Sequence, residues 1–516
     1  MALNVGINVL ETDGKAAPSI QAAATSVGAF LIRSERGVPN APRRVSSPGQ
    51  FRDLFGGFID GAFGAFAVQG FFDNGGATAY VVRVVDAPTP SEEETGTPVT
   101  GKAWAARLML QDGSTDVLAV KAGYRGALDH GAWGNNLKVK VAARAIPDDG
   151  STIDAYDLIV QYKGVIVETW EKLKIDSPAG GPTRRADAVI NDPLTGSKYI
   201  TVTVPDGVTA DPDVLDFTAL ADGDDDELSG GTLDTALTNA LHQFDALDVQ
   251  LVSCVETTEP DVVKAGMNYC ETRGDCVFIA ATTQGVDVDG ATSYGVGLQR
   301  NKRYGAVYYP WIQVLDPRGG RLWMPATGHV MGVYARIDQQ RGIWKAPAGN
   351  EAGVMGAIAT ETAISDADHT HLVKDGSVNA IRFIPGQGIV VDSSRTPSTN
   401  TLWLYVNVRL LFNMVKTSLK YGLRWVVQEP NTEELWKKVK VNTVTPFLMN
   451  LWKRGAFGPG AAEDVFTVKC DADNNPPANI QQGIFTVEVY FYPSRPAETV
   501  VIIVGQQEGA GSAQEA

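Results

Sequence analysis

Cysteine is scarce: four residues in 516, at positions 254, 270, 276 and 470, with no Cys-x-x-Cys spacing. That excludes a disulfide-stapled scaffold and a zinc ribbon, and the four are expected as reduced core residues. Histidine is nearly as scarce, and of the five only His369-Thr-His371 places two close together. Without carboxylate or cysteine partners at ligand spacing, this pair is expected at a turn or a strand end, not on a metal. No apolar run reaches the roughly 18 residues that span a bilayer, which argues against membrane insertion. The start "MALNVGINVLETDGK" lacks the basic and apolar regions of a secretory signal, so assembly in a cytosol is expected. A basic surplus is also missing, since the net charge of −16 disfavours wrapping nucleic acid. Catalytic motifs are missing too. The glycine-rich stretches 56–61 and 70–76 fit neither a dinucleotide fingerprint nor a phosphate loop, and there is no Gly-x-Ser-x-Gly elbow. No catalytic, cofactor or metal site is expected.

What is present is length and pattern. A chain of 516 residues implies two to four domains. "TSVGAFLIRSERGVPNAPRRVSSPGQFRDLFGG" reads as a strand, a proline-rich loop, a second short strand and a helix starting at Ser47 or Pro48. "GAFGAFAVQGFFDNGG" reads as an apolar helix and "ATAYVVRVV" as a buried strand. After Asp86 the texture changes to alternating strands separated by Gly, Pro and Asp turns, which suits a small antiparallel sandwich or barrel. Residues 86–235 hold about 26 acidic against about 13 basic side chains, most of the net charge of the chain. The acidic run "ADGDDDELSGG" at the end of this segment is expected to be a solvated loop, because it lacks the calcium-loop glutamate. From Leu233 the α/β rhythm returns, implying parallel strands with crossover helices. Trp311, Trp323 and Trp344 are expected to wedge against neighbouring domains or subunits.

The two ends of the chain raise a separate question. Leu3, Val5, Ile7 and Val9 alternate with small or polar residues, as do Phe485, Val487, Val489 and Phe491 with polar ones. Val500, Val501, Ile502, Ile503 and Val504 then form an uncharged, strand-forming run of aggregating character unless its edges are paired. Neither end has an obvious local partner.

Blocks such as "RYGAVYYPWIQVLDP", "VNAIRFIPGQGIVVDSSRT", "YVNVRLLFNMVKTSLKYGLRWVVQEPNTEELWKKVKVNTVTPFLMNLWKRGAF" and "VEVYFYPSRPAETVVIIVGQ", in this order, resemble the contractile tail sheath proteins of bacteriophages and related contractile injection particles. "TSVGAFLIRSERGVPNAPRRVSSPGQFRDLFGG", "FFDNGGATAYVVRVV" and "HGAWGNNLKVKV" are similar to earlier segments of the same family. The resemblance implies a multidomain α/β and α+β fold: a discontinuous α/β core, subtilisin-like without a protease site, an inserted antiparallel β domain, and a C-terminal α+β domain with strand-exchange arms. The corresponding division is an N-terminal arm (1–20), the first part of the core (21–95), the acidic β insert (96–232), the core (233–370), the C-terminal domain (371–483) and a C-terminal arm with tail (484–516).

The resemblance further implies a homo-oligomer of hexameric rings stacked helically around an inner tube protein, with baseplate and terminal cap proteins as further partners, carried in a phage tail or injection particle. Strand addition to a neighbouring copy supplies the backbone bonds that both ends lack, with hinges expected at "ETDGKAAPS" and "YPSRPAE". Lys437, Lys438 and Lys440, on a helix whose Trp436 and Val439 face inward, are the candidates for inner-tube contact. An α/β-core enzyme of unknown specificity and a polymerising surface protein are the competing readings.

Overall fold

The computed structural model describes residues 19–94, 97–148, 151–177 and 181–499. The expected arm residues Leu3, Val5, Ile7 and Val9, and Val500 to Val504, lie outside these. Among the described residues the largest of five sheets, the body sheet, has eight strands in the order Arg43–Val45, Ala79–Arg83, Gly28–Ile32, Leu251–Cys254, Val277–Ala281, Gly305–Tyr309, Val378–Ile384 and Gly388–Val391. Its six inner strands run parallel, and the outermost strand on each side is antiparallel to its neighbour.

Runs such as GAFLI, LVSC and VFIAA are buried along their whole length, the composition of strands covered on both faces. Because side chains alternate, Phe30 and Ile32 enter one core with Phe71 and Met331, while Ala29 and Leu31 enter the other with Phe244 and Met267. Each such large apolar side chain contributes about 1.5–3 kcal/mol. On the first face, helices Gly64–Asp73 and Thr327–Arg341 pack so closely that a Cβ on Gly328 would meet the Ala67 carbonyl oxygen at 2.2 Å.

Local chemistry sets the helix starts. Pro48 opens helix Pro48–Phe55, and the Ser47 hydroxyl accepts the Gln50 N–H at 3.1 Å. Helix Gly64–Asp73 has no cap from its own preceding residue; Glu256, just past strand Leu251–Cys254, supplies one. Its carboxylate accepts from Phe63 N at 3.0 Å, Gly64 N at 2.8 Å and Arg33 N at 3.0 Å. Burial pushes this carboxyl up to about 6 from 4.5, against the lowering effect of the three N–H donors. Between those two values the folded state holds a proton that the unfolded chain releases. This group therefore adds up to about 2 kcal/mol of stability as pH falls from 6 through 4.5, and withholds it above 6. Glu256→Gln removes that dependence: unfolding midpoints in urea at pH 7 and pH 5, compared between the variant and the parent, are expected to converge in this window.

Two sheets drawn from residues 107–219, antiparallel except that Arg184–Arg185 runs parallel to Val165–Lys174, form a second module. One orders Arg184–Arg185, Val165–Lys174, Ser151–Tyr162, Leu137–Asp148 and Leu215–Ala219; the other orders Ile200–Thr203, Thr115–Tyr124 and Arg107–Asp112, with Ala127–Leu128 against Thr115–Tyr124. Leu118, Val120, Val139, Leu158 and Ile200 from both sheets share one core. The module joins the body through polar contacts, some of them buried. Arg83, at the end of a body strand, pairs with Asp129 at 3.2 Å with both side chains almost fully buried. The Arg36 guanidinium lies 4.8 Å from the Tyr199 ring centroid and 5.4 Å from that of Trp133. Glu35 accepts from Lys163 at 2.7 Å and Tyr162 at 3.1 Å.

The acidic run is a largely exposed loop, as expected, and two of its carboxylates also reach backbone N–H groups. Asp225 accepts from Ala132 N and Asp226 from Asp86 N, so its carboxylates tie the module's exit to its entry. The histidine pair differs from its expected turn or strand end. His369 and His371 lie inside helix Asp366–Lys374, whose start is capped reciprocally by Ser365 and Asp368. Trp311 sits in the chain's own core, edge-on to Phe63 and donating to the Thr282 carbonyl at 2.8 Å. Trp323 and Trp344 are half-buried in the same chain.

Candidate assembly interface

The alternating run near the C-terminus forms strand Glu488–Phe491, paired antiparallel with Phe466–Lys469. The expectation that this strand lacks a local partner is thereby corrected for residues 488–491. Phe491 is the reason it folds back: its ring stacks on Phe412 at 4.2 Å and lies 5.1 Å from Phe457. Phe485, Val487 and Val489 pack half-buried against the same core, while Tyr490 points outward at 62% exposure. Among the described residues no third strand joins this two-stranded ribbon.

Beside the ribbon runs a groove of about 1240 Å³, lined by apolar residues such as Leu419, Leu423, Val426, Phe485 and Val487 and also by Lys416, Lys420, Arg424 and Glu429. Tyr421 and Val427 stand exposed at its lining. The chain start leads towards the same place. Thr25 and Ser26 donate to the Asp338 carboxylate, Ala23 N donates to the Ser418 hydroxyl at 2.9 Å, and Ile20 packs against Gly422, between the groove residues Tyr421 and Leu423. Helix Val406–Gly422 is thus buried along most of its length and carries both the N-terminal segment and one groove wall.

The C-terminal segment leaves elsewhere. Tyr492 N donates to Val465 O, Ser494 N to Ala456 O, and the Asn407 amide to Ser494 O. Arg395 grips Glu498. The stretch expected as a hinge, "YPSRPAE", is therefore fastened to the body at both its ends.

Thr432 caps helix Glu433–Lys437, and the chain continues through a π-helical segment, Lys438–Val444, into helix Thr445–Lys453. Trp436 and Val439 are buried, as the spacing predicts. The three lysines have separate surroundings. Lys437 is exposed, Lys438 Nζ lies 4.6 Å from the Trp425 ring centroid, and Lys440 Nζ is 3.9 Å from the Asp471 carboxylate. Exposed Val441, at 60%, lies on the same segment.

Leu419, Leu423, Val426 and Val427 were not anticipated as a surface. Their one sequence signal is the apolar excess in "LKYGLRWVV", where the helical period breaks down. Among the described residues no three His, Cys, Asp or Glu side chains are grouped to hold a metal ion.

Fold and surfaces together define a mixed α/β, multi-sheet protein with a two-stranded ribbon and two sizeable surface grooves among its described residues. Residues 235–396 match the phage tail sheath protein central domain, and residues 398–505 match the phage tail sheath C-terminal domain, together more than half of the chain. The tail sheath protein of Salmonella phage ViI is 26% identical over 347 residues, covering 64% of this chain and 51% of that protein. The chain thus spans about half the length of this curated relative. Among solved structures, the sheath complex of the extracellular contractile injection system PVC, in its contracted state, aligns with a TM-score of 0.58 at 18% identity, covering 98% of this chain and 99% of that one. The helical sheath of the anti-feeding prophage, also contracted, aligns at 0.57 and 18% identity over 98% of this chain and all of its own, and a chain of its baseplate aligns at 0.56. The protein belongs to the contractile tail sheath family of phages and phage-like injection systems, a family of structural proteins and not of enzymes.

Proposed function

We propose that this chain polymerises as stacked hexameric rings into a helical sheath around an inner tube, and that shortening of the sheath drives the tube through a target envelope. The observation that carries this reading is the ribbon of Phe466–Lys469 and Glu488–Phe491, a sheet of two strands beside a groove that is apolar in part. Two-stranded ribbons are marginal alone, and an edge with apolar pockets alongside accepts an added strand. The arms 1–20 and 484–516 are the donors, through Leu3 to Val9 and Val500 to Val504 of a neighbouring copy. Phe485 to Phe491 then act as acceptor as much as donor. Each added backbone bond contributes about 0.5–1.5 kcal/mol and each buried Val or Ile about 1.5–3 kcal/mol. Head-to-tail donation does not have to close, so it propagates as a helix.

Within this reading the body (21–95 and 233–370) is a subtilisin-like core without protease chemistry, residues 96–232 form an outward acidic module, and 371–483 form the C-terminal domain that holds the ribbon. Baseplate and cap proteins are its partners at the two ends, with assembly in the bacterial cytoplasm and delivery in a phage tail or injection particle. Negative-stain images of the purified protein test the reading directly: striated hollow tubes are expected, and monomers at every concentration and salt would dismiss it.

Lys437, Lys438 and Lys440 are proposed to face the inner tube, where exposed charges hold and release more readily than an apolar patch. Reversing Lys437 and Lys438 to Glu is expected to lower sheath-on-tube assembly at least tenfold while leaving tube-free polymerisation intact. Equal loading on the inner tube would retire the lysines from this role.

A further inference from the structure

The last described residues line a second groove, of about 1160 Å³, walled by Arg341–Gly349, helix Asp366–Lys374, Asp392–Arg395 and Arg454. Across it, Arg395 Nε and Nη2 donate to the two carboxylate oxygens of Glu498 at 2.7 and 2.6 Å. The side chains are 12% and 29% exposed, so this is a planar, two-bond pair shielded on most sides, unlike a mobile surface ion pair.

Arg395 is itself held. Its N–H donates to Asn379 Oδ1, its Nη1 donates to the Val373 carbonyl, and its backbone bridges to Tyr405. Lys374, His369 and Tyr405 face the same carboxylate, and Arg382 nearby is already taken by Asp366 and Asp392. Burial raises the Glu498 carboxyl, and the bonds from Arg395 outweigh it, holding the group below its ordinary range.

We propose that the Arg395–Glu498 pair is a latch that fixes where the C-terminal segment leaves the body, so that the chain beyond Thr499 is aimed before a neighbouring copy arrives. Presetting the exit lowers the ordering cost of each polymerisation step. The proposal rests on the strand-donation reading above, and its test separates the two.

The full-length variants Arg395→Ala, Arg395→Lys, Glu498→Gln and the Ala/Gln double are compared in two measurements. In the dispersed subunit, a glutamate-specific protease is expected to cut after Glu498 at least tenfold faster in Arg395→Ala than in the parent, with Arg395→Lys between them. In negative stain, Arg395→Ala and Glu498→Gln are each expected to lose tube formation about tenfold, and the double to be no worse than either single. If Arg395→Ala proves misfolded by its melting temperature, Glu498→Gln carries the assembly test, since it leaves the Arg395 bond to Val373 in place. Cleavage at the parental rate, normal tubes from a folded single variant, or additive losses in the double each overturn the latch. A chain ending at Thr499 that still forms tubes overturns strand donation instead, whatever the protease result.

Discussion

A chain cut after Thr499 is expected to fold, to stay soluble and to form no tubes. The cut removes Val500 to Val504 with the rest of the tail and keeps the contacts made by the described residues: the Glu488–Phe491 strand, the stack of Phe491 on Phe412 and the grip of Arg395 on Glu498. A donated strand of five such residues brings several backbone bonds and several buried aliphatic side chains, roughly 5–10 kcal/mol before ordering costs, so its loss is all-or-none for assembly. Circular dichroism and a melting curve like the parent's, with an empty negative-stain field, are the expected pair of results. A cut before Ile484 is expected to behave differently. It strips the strand that covers Phe412 and Phe457, and the exposed apolar surface should drive aggregation instead of yielding clean subunits.

Asp129→Ala is expected to destabilise the protein by about 3–5 kcal/mol, the largest effect of a single substitution considered, because it strands the Arg83 guanidinium in a site with almost no solvent. The Asp129 carboxylate also accepts from Gly37 N at 2.8 Å and Trp133 Nε1 at 3.2 Å. Arg83 in turn donates to the carbonyls of Gly37 and His130. The same few atoms thus lock a body strand, the loop after Gly28–Ile32 and the module segment that follows Ala127–Leu128. A buried pair is costly to break and less costly to replace, so Arg83→Met with Asp129→Leu is expected to recover most of the loss. Urea unfolding followed at the Trp133 region checks both. A parental midpoint for Asp129→Ala would mean that this junction carries no load.

What was legible in the sequence was local. Ser47-Pro48 announced a helix start because the cap and its partner N–H lie three residues apart, GAFLI announced a strand, and ATAYVVRVV announced a buried one because both its faces are apolar. The α/β rhythm implied parallel strands, and the body sheet has them. What was illegible was nonlocal. The partner of Glu488–Phe491 is a four-residue strand, FTVK, too short to carry a period of its own. Its pairing is decided by where Phe412 and Phe457 leave room for Phe491. The groove beside the ribbon draws on residues from 416 to 489, and no window of the sequence contains it. His369 and His371 were misplaced because their helix is short and largely polar, so its start was carried by the Ser365–Asp368 cap and not by an apolar stripe. The Asp222–Glu227 run was legible as a solvated loop, but its bonds to Asp86 N and Ala132 N were not, because those groups lie far away in the chain.

The central claim is that the ribbon is completed by strands from other copies of this chain, and a density map of the assembled tube, at a resolution that traces backbone, tests it most directly. The account predicts more than two strands at Phe466–Lys469 and Glu488–Phe491, with each added strand belonging to a different polypeptide. A two-stranded ribbon in the tube, or added strands traced back to the same polypeptide, would contradict it.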